Sequence, residues 1–410
     1  MAARFFMSTT RALSGVLVPI YLALLGMNGL ELGLLFLAVG LVSAVLSYFI
    51  GTSSDRIGRR PFLIALPVVA GAAALVYAFT DQTAILFIAA AAGTFGRGSG
   101  AGAGAVGPYQ PAESAFVTDS IADKFRNDAF SKLTFLSSAG ALAGGLLAML
   151  AGSGHPHHAH VVETFRPGFI AAGVFAIVAG LIAIGIREGR APTAAGSAGS
   201  RKGRPRLPVR SRPLLYRLWA TNTANGLAIG MLAPFVTYWL YRRYGVGAGD
   251  VGALFAIVNL VSAFSSLYAA RLANRFGTVK TISVVRAAQA LLLIPLVLAP
   301  TFLLAGVVYL VRMLIQRIQM PLRQSYVVGM ADPAERGSVA ALANTPSQVA
   351  MSASPVLAGY LFDEVNLSIP FEVASGLQLV NAGLFWLFFR KLPPPEERTV
   401  ASMSESVPAD

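Results

Sequence analysis

The sequence has no cysteine, holds its four histidines within residues 155–160, and is only 12% charged over 410 residues. Each shortage removes a class of explanation. Without cysteine there is no disulfide framework and no Cys/His nucleophile. With every histidine in one short stretch there is no Ser/His/Asp arrangement, and no phosphate loop or metal-ligand helix motif is present, so an enzyme is the least expected class. The charged fraction is about half that of an ordinary soluble domain, while 55% of the residues are hydrophobic. Such a chain belongs in a lipid bilayer. Acids are scarcer than bases, 19 against 32, for a net charge of +13. That surplus is not a nucleic-acid footprint, because the basic residues sit in short stretches between apolar runs and form no basic face.

What is present is a succession of apolar segments. With roughly 20 apolar residues needed per crossing, helices are expected near 11–29, 31–51, 62–80, 84–118, 129–151, 167–186, 213–241, 249–270, 279–298, 301–328, 339–361 and 370–390. The expected fold is all-α and integral to the membrane, with twelve spans in two pseudo-symmetric six-helix bundles. The bundles occupy 1–187 and 213–398, joined by a basic linker at 188–212 and followed by a tail at 399–410. Placing both termini in the cytoplasm puts most Lys and Arg residues on that side, as the positive-inside rule requires. The first apolar segment, preceded by Arg4 and Arg11, reads as an uncleaved helix rather than a leader, since it lacks a clear small-residue cleavage site.

The halves repeat. Gly33 aligns with Gly252 and Gly58 with Gly277, a constant offset of 219 that includes an identical Leu-Val-Ser-Ala at 41–44 and 260–263. A second register, at offset 210, matches Pro111-Ala-Glu113-Ser-Ala-Phe-Val with Pro321-Leu-Arg323-Gln-Ser-Tyr-Val, and Arg126 with Arg336. Matching without gaps at polar and turn positions argues for duplication.

Residues 51–61, Gly-Thr-Ser-Ser-Asp-Arg-Ile-Gly-Arg-Arg-Pro, separate the second and third segments. Gly58 permits a positive φ and Pro61 suits the first turn of a new helix, so the chain can reverse within about ten residues. This stretch resembles the signature loop of the major facilitator superfamily of transporters, Gly-x-x-x-Asp-Arg-x-Gly-Arg-Arg/Lys, at Gly51, Asp55, Arg56, Gly58, Arg59 and Arg60. The resemblance implies parallel repeats about an axis along the membrane normal and a solute path lined by the first, fourth, seventh and tenth helices. It also implies a cytoplasmic latch from Asp55, Arg59 and Asp119, weaker in the second half, where Asn274 replaces the acid.

Charged groups near mid-membrane cost roughly 2.5–3.5 kcal/mol each on insertion scales, so each is a functional candidate. Arg97 and Arg312 are expected beside the path. At 100° per residue Arg312, Gln316, Gln319 and Arg323 fall within about 60° of one another, a polar stripe suited to an anionic or polyhydroxylated solute. Asn222, Asn225 and Tyr21 supply further candidate ligands, as does Asn28, or else hydrogen bonds between helices. The glycines from Gly93 to Gly107, with Pro108 and Pro111, predict a kinked or partly unwound fourth helix. Glu113 is expected at an inner gate, paired either with Arg323, its partner in the second register, or with arginines of the 51–61 loop. In the fifth helix Gly140-Ala-Leu-Ala-Gly144-Gly145 is similar to an antiporter motif, and close packing of small residues explains it equally.

The expected function is secondary active transport of a small solute, an organic anion or neutral polar metabolite, by alternating access in the cell (inner or plasma) membrane. Proton-coupled multidrug efflux is the alternative, and a non-transporting receptor or scaffold stands behind both. The expected partners are the solute, the lipid bilayer and, for the coupled case, a proton, with the chain acting as a monomer. No cofactor, metal or nucleic acid is expected.

Overall fold

The computed structural model of the chain describes residues 1–96, 107–120, 123–151, 161–185, 211–265, 272, 275–330, 335, 339, 342–390 and 392. Among these the chain is helical: α1 Ala2–Leu24, α2 Gly29–Ile57, α3 Arg60–Phe79, α4 Thr83–Gly93, α5 Tyr109–Ser120, α6 Asp123–Ala151 and α7 Val161–Ile184 in the first half. The second half holds α8 Arg212–Leu232, α9 Val236–Tyr244, α10 Ala248–Ser265, α11 Thr278–Leu291, α12 Leu293–Leu298, α13 Phe302–Met330, α14 Thr345–Glu364 and α15 Ile369–Phe389. Among the described residues eight spans are long and apolar enough to cross a membrane: α1, α2, α3, α6, α7, α11 with α12, α13 and α15. The other expected spans fall on α4 with α5, α8 with α9, α10 and α14. Of these, α4 with α5 and α8 with α9 are broken within the described residues.

Two boundaries differ from expectation for identifiable reasons, and one expected break is present. The first helix starts at Ala2, not 11, because its polar residues find partners: Ser8 shares a 2.9 Å hydrogen bond with Ser137 and Thr10 Oγ1 donates to the Ala172 carbonyl at 3.1 Å. Satisfied in this way, polar side chains no longer exclude the segment from the interior. The fourth helix is interrupted, as its glycines predict. It ends where Thr94 takes a left-handed φ of 47°, and α5 restarts beyond Gly107. The seventh divides into α8 and α9 around Pro234, which has no N–H to continue the ladder.

The turn at Gly58 has the conformation its sequence demands. Its φ is +93°, its repeat partner Gly277 has +81°, and Pro61 lies in the first turn of α3. Gly26 (+91°) and Gly245 (+67°) repeat the correspondence at the same offset of 219. Four left-handed glycines in register carry the duplication from sequence into backbone.

By compactness the chain divides into two units that do not coincide with the sequence halves. Unit 1 comprises Met1–Ser200, Leu232–Ala263 and Pro355–Leu367, and unit 2 comprises Arg201–Met231, Phe264–Ser354 and Ser368–Asp410. In unit 1, α1 packs on α6 and α7, and α3 on α7 and α4. Small residues set these distances: a Cβ at Gly144 would lie 2.6 Å from the Thr9 carbonyl oxygen of α1. Tyr21, Tyr77, Phe95, Phe165 and Phe169 form a buried aromatic cluster, with Tyr21 edge-on to Phe169 at 5.1 Å between centroids. Unit 2 has its own apolar core of Leu215, Leu218, Ile282, Tyr326, Val339, Phe385 and Phe389.

Unit 1 also contains two seams between segments from different sequence halves. A Cβ on Gly33 of α2 would lie 2.5 Å from the Pro355 carbonyl oxygen of α14, and one on Gly252 of α10 would lie 2.7 Å from the Gly145 carbonyl oxygen of α6. Gly33 and Gly252 are partners at offset 219, and Gly145 and Pro355 at offset 210, so each seam is the repeat image of the other. Asp363 closes the first seam, accepting from the Gly29 N–H at 2.9 Å and the Leu30 N–H at 2.7 Å. Those amides are orphan donors at the start of α2.

Candidate functional site

Among the described residues of unit 1 the buried charge is one ion pair. Arg4 Nη1 donates to Glu113 Oε2 at 2.8 Å, with the two side chains 6% and 8% exposed. Glu113 sits in the second turn of α5, beyond the break in the fourth helix, and α1 reaches it only because that helix extends to Ala2. In this structure the carboxylate meets Arg4 of the first helix, a partner the sequence did not suggest. Nearby, a small cavity is lined by Thr10, Arg11, Ser14, Thr94, Phe95 and Tyr109, among others, where the fourth helix breaks.

Unit 2 holds a different arrangement, in which arginines meet amides instead of carboxylates. Arg286 of α11 is 3% exposed; its Nη1 donates to Asn381 Oδ1 of α15 at 2.9 Å, and its guanidinium carbon lies 4.6 Å from the centre of the Phe385 ring. Asn381 Nδ2 in turn donates to Asn225 Oδ1 of α8 at 3.3 Å. The amide of Gln319 on α13 lies 3.2 Å from that of Gln289. With its oxygen turned toward Arg286, Gln319 accepts from Nε at 2.7 Å and Nη2 at 3.2 Å. Arg323 Nη2 reaches Asn222 Oδ1 at 2.9 Å and Asn344 Oδ1 at 2.5 Å, and Asn222 Nδ2 donates to the Ala343 carbonyl at 2.6 Å.

Arg312 stands apart from this network. It is 5% exposed, its one hydrogen bond is a long 3.5 Å contact from Nη2 to Gln378 Oε1, and its Nε is buried with no partner among the described residues. One turn further along α13, Gln316 Oε1 is likewise buried and unpartnered. A guanidinium has five donors, so Arg312 retains most of its capacity.

The structure therefore divides the expected polar stripe. Gln319 and Arg323 are engaged with neighbouring helices, as are Asn222 and Asn225, whereas Arg312 and Gln316 keep unused polar atoms. Tyr21 is fully buried in the aromatic cluster of unit 1, where its hydroxyl donates to the Thr80 carbonyl at 3.0 Å. Asn28 is spent on a capping box: its Oδ1 accepts from the Glu31 N–H at 2.8 Å while Glu31 Oε2 accepts from the Asn28 N–H at 2.9 Å. Arg60 Nη2 donates to the Ile184 carbonyl at 2.5 Å, tying the start of α3 to the end of α7. Arg59 occupies the N-cap position of α3.

Arg97, Asn274 and the four histidines lie outside the described residues, as do the side chains of Asp55, Arg56, Asp119 and Arg126, while Gly51 lies within α2. Arg4, Arg286, Gln289, Gln378 and Asn381 were not singled out by sequence. Arg286 could have been found, since it is a lone charge in an apolar run with Gln289 three residues on, the same signal that marks Arg312.

Comparison with known proteins agrees with this architecture. The chain is 22% identical over 387 residues to multidrug resistance protein 2 of Bacillus subtilis, covering 92% of each chain. It is 24% identical over 392 residues to multidrug resistance protein MdtG of a Rahnella species, covering 91% of this chain and 89% of that one. Its fold matches that of a bacterial homolog of the human lysosomal transporter Spinster, solved in an inward-facing and occupied conformation. The TM-score is 0.70 at 15% identity, over 95% of this chain and 96% of the other. The family model for the Major Facilitator Superfamily matches residues 1–316 and 218–409. With the helical architecture, the repeated glycine turns and a family match spanning both halves, this chain belongs to the Major Facilitator Superfamily of membrane transporters.

Proposed function

We propose that the chain moves a small organic anion or neutral polar metabolite across the cell membrane by alternating access, with Arg312 as the anchor for the solute. One observation carries this reading: Arg286, Arg312 and Arg323 have no carboxylate partner among the described residues. A desolvated cation is costly by several kcal/mol unless compensated. Arg286 and Arg323 are compensated by amides and an aromatic ring. Arg312 is not, and an anionic solute supplies what it lacks.

On this reading both termini face the cytoplasm of a cell or inner membrane. The 51–61 loop with Asp119 and Glu113 then serves the inner gate in the first half, and Arg323 is the gate candidate of the second. The chain works as a monomer, its path enclosed by one polypeptide.

A second reading, proton-coupled multidrug efflux, is favoured by the two relatives named as multidrug resistance proteins, which match about nine-tenths of the chain. Glu113 with Arg4 would then be the proton-carrying pair. A thermal-shift screen separates the readings, because a ligand bound only by the folded state raises its melting temperature by mass action. Organic anions are expected to stabilise the wild type and to lose that effect in Arg312→Ala. Stabilisation by lipophilic cations alone, unchanged in Arg312→Ala, overturns the anion reading in favour of efflux.

A further inference from the structure

Resting on the reading of Arg312 as an anion anchor, the geometry points to a narrower solute class: a carboxylate bearing a hydrogen-bond donor on the adjacent carbon, that is, a 2-hydroxy or 2-amino acid. We infer this from the two unused polar atoms on α13. Arg312 Nε can only donate, and Gln316 Oε1 can only accept. Both are buried and without partners among the described residues, and they lie four residues apart, hence as neighbours on one helix face.

An acceptor beside a cation is informative. A simple carboxylate satisfies Arg312 and leaves the Gln316 oxygen unpaired, and an unpaired buried acceptor counts against binding. A bare alcohol satisfies Gln316 and leaves the charge unmet. Only a solute presenting an anion and an adjacent O–H or N–H fills both. The rest of the cluster does not offer this pairing, since Gln319 turns to Arg286 and Asn222 to Arg323. No other residue of the stripe combines burial with an idle acceptor among the described residues. Gln316 is thus assigned the role of telling a substituted acid from a plain one.

The test uses purified full-length protein and matched ligands in titrations of melting temperature. Mandelate, phenylglycine and lactate carry the donor; phenylacetate, O-methylmandelate and propionate do not. On the wild type the donor-bearing acids are expected to bind at least about tenfold more tightly than their matched analogues, the loss of one buried hydrogen bond. Mandelate against phenylglycine then distinguishes a hydroxyl from an ammonium donor. In Gln316→Met, similar in length and without the amide oxygen, that preference should fall to near unity, and an undiminished preference for mandelate over phenylacetate overturns the role given to Gln316. Equal binding of mandelate, phenylacetate and O-methylmandelate to the wild type overturns the inference and leaves the anion anchor standing. Failure of every acid to bind, with Arg312→Gln indistinguishable from wild type, removes the anchor and the inference together. The wild-type comparison needs no variant, so poor folding of Gln316→Met does not blunt the test.

Discussion

Removing one member of the Arg4–Glu113 pair should destabilise the protein far more than removing both. The side chains are 6% and 8% exposed and meet at 2.8 Å through one nitrogen and one oxygen. At an effective dielectric of about 20 their attraction is about 6 kcal/mol. Desolvation costs several kcal/mol per ion, so the net value of the intact pair is near zero, whereas an orphaned buried charge costs about 3–5 kcal/mol. Glu113→Leu and Arg4→Met are therefore each expected to lower stability by about 3–5 kcal/mol, and the double variant to return to within about 1 kcal/mol of wild type. Reversible unfolding in detergent, analysed as a double-mutant cycle, reads the coupling directly. Single variants costing less than about 1 kcal/mol, or a double variant as damaged as the sum of the singles, would refute the argument that these charges are buried and mutually compensating.

Two further outcomes follow from the seams of unit 1. Gly33→Leu places side-chain atoms where the Pro355 carbonyl already stands, so α2 and α14 must separate; paired spin labels at Leu34→Cys and Leu357→Cys, introduced into this cysteine-free sequence, should report a longer distance, and an unchanged distance contradicts the packing. Asp363→Ala removes the acceptor for two amides at the start of α2 and should cost about 0.5–2 kcal/mol, the range for loss of a helix cap. Hydrogen exchange at Gly29 and Leu30 should accelerate, and unaltered protection there would show the carboxylate to be dispensable.

Much of this architecture is legible in the sequence, because bilayer physics leaves few options. Apolar runs of spanning length must be helical, Gly58 next to Arg59-Arg60-Pro61 permits one kind of turn, and a glycine-rich stretch cannot sustain an unbroken fourth helix. Gly58 takes the positive φ its place in the turn permits, and its repeat partner Gly277 shares it; the same pairing of Gly26 with Gly245 emerges only from the backbone. The partners of individual polar side chains were not legible. Arg4 lies before the apolar run that marked the first helix, and its partner is 109 residues away. The stripe on α13 was visible as a stripe, but periodicity places residues on a face without saying what faces them. Gln319 and Arg323 meet side chains of other helices, while Arg312 and Gln316 keep idle atoms, and that division depends on packing between segments distant in sequence. Tyr21 shows the same limit: its hydroxyl suggested a ligand, yet the surrounding rings of Tyr77, Phe165 and Phe169 make it core.

The most direct test of the account is uptake of a radiolabelled organic acid into proteoliposomes containing the wild type or Arg312→Gln, each checked for monodispersity before reconstitution. Saturable uptake by the wild type that falls at least about tenfold in Arg312→Gln, in line with loss of a charge-assisted hydrogen bond, is the predicted result. Anion flux that is absent, or equal in the two proteins, together with pH-driven movement of a lipophilic cation, would contradict it and make multidrug efflux the function to pursue.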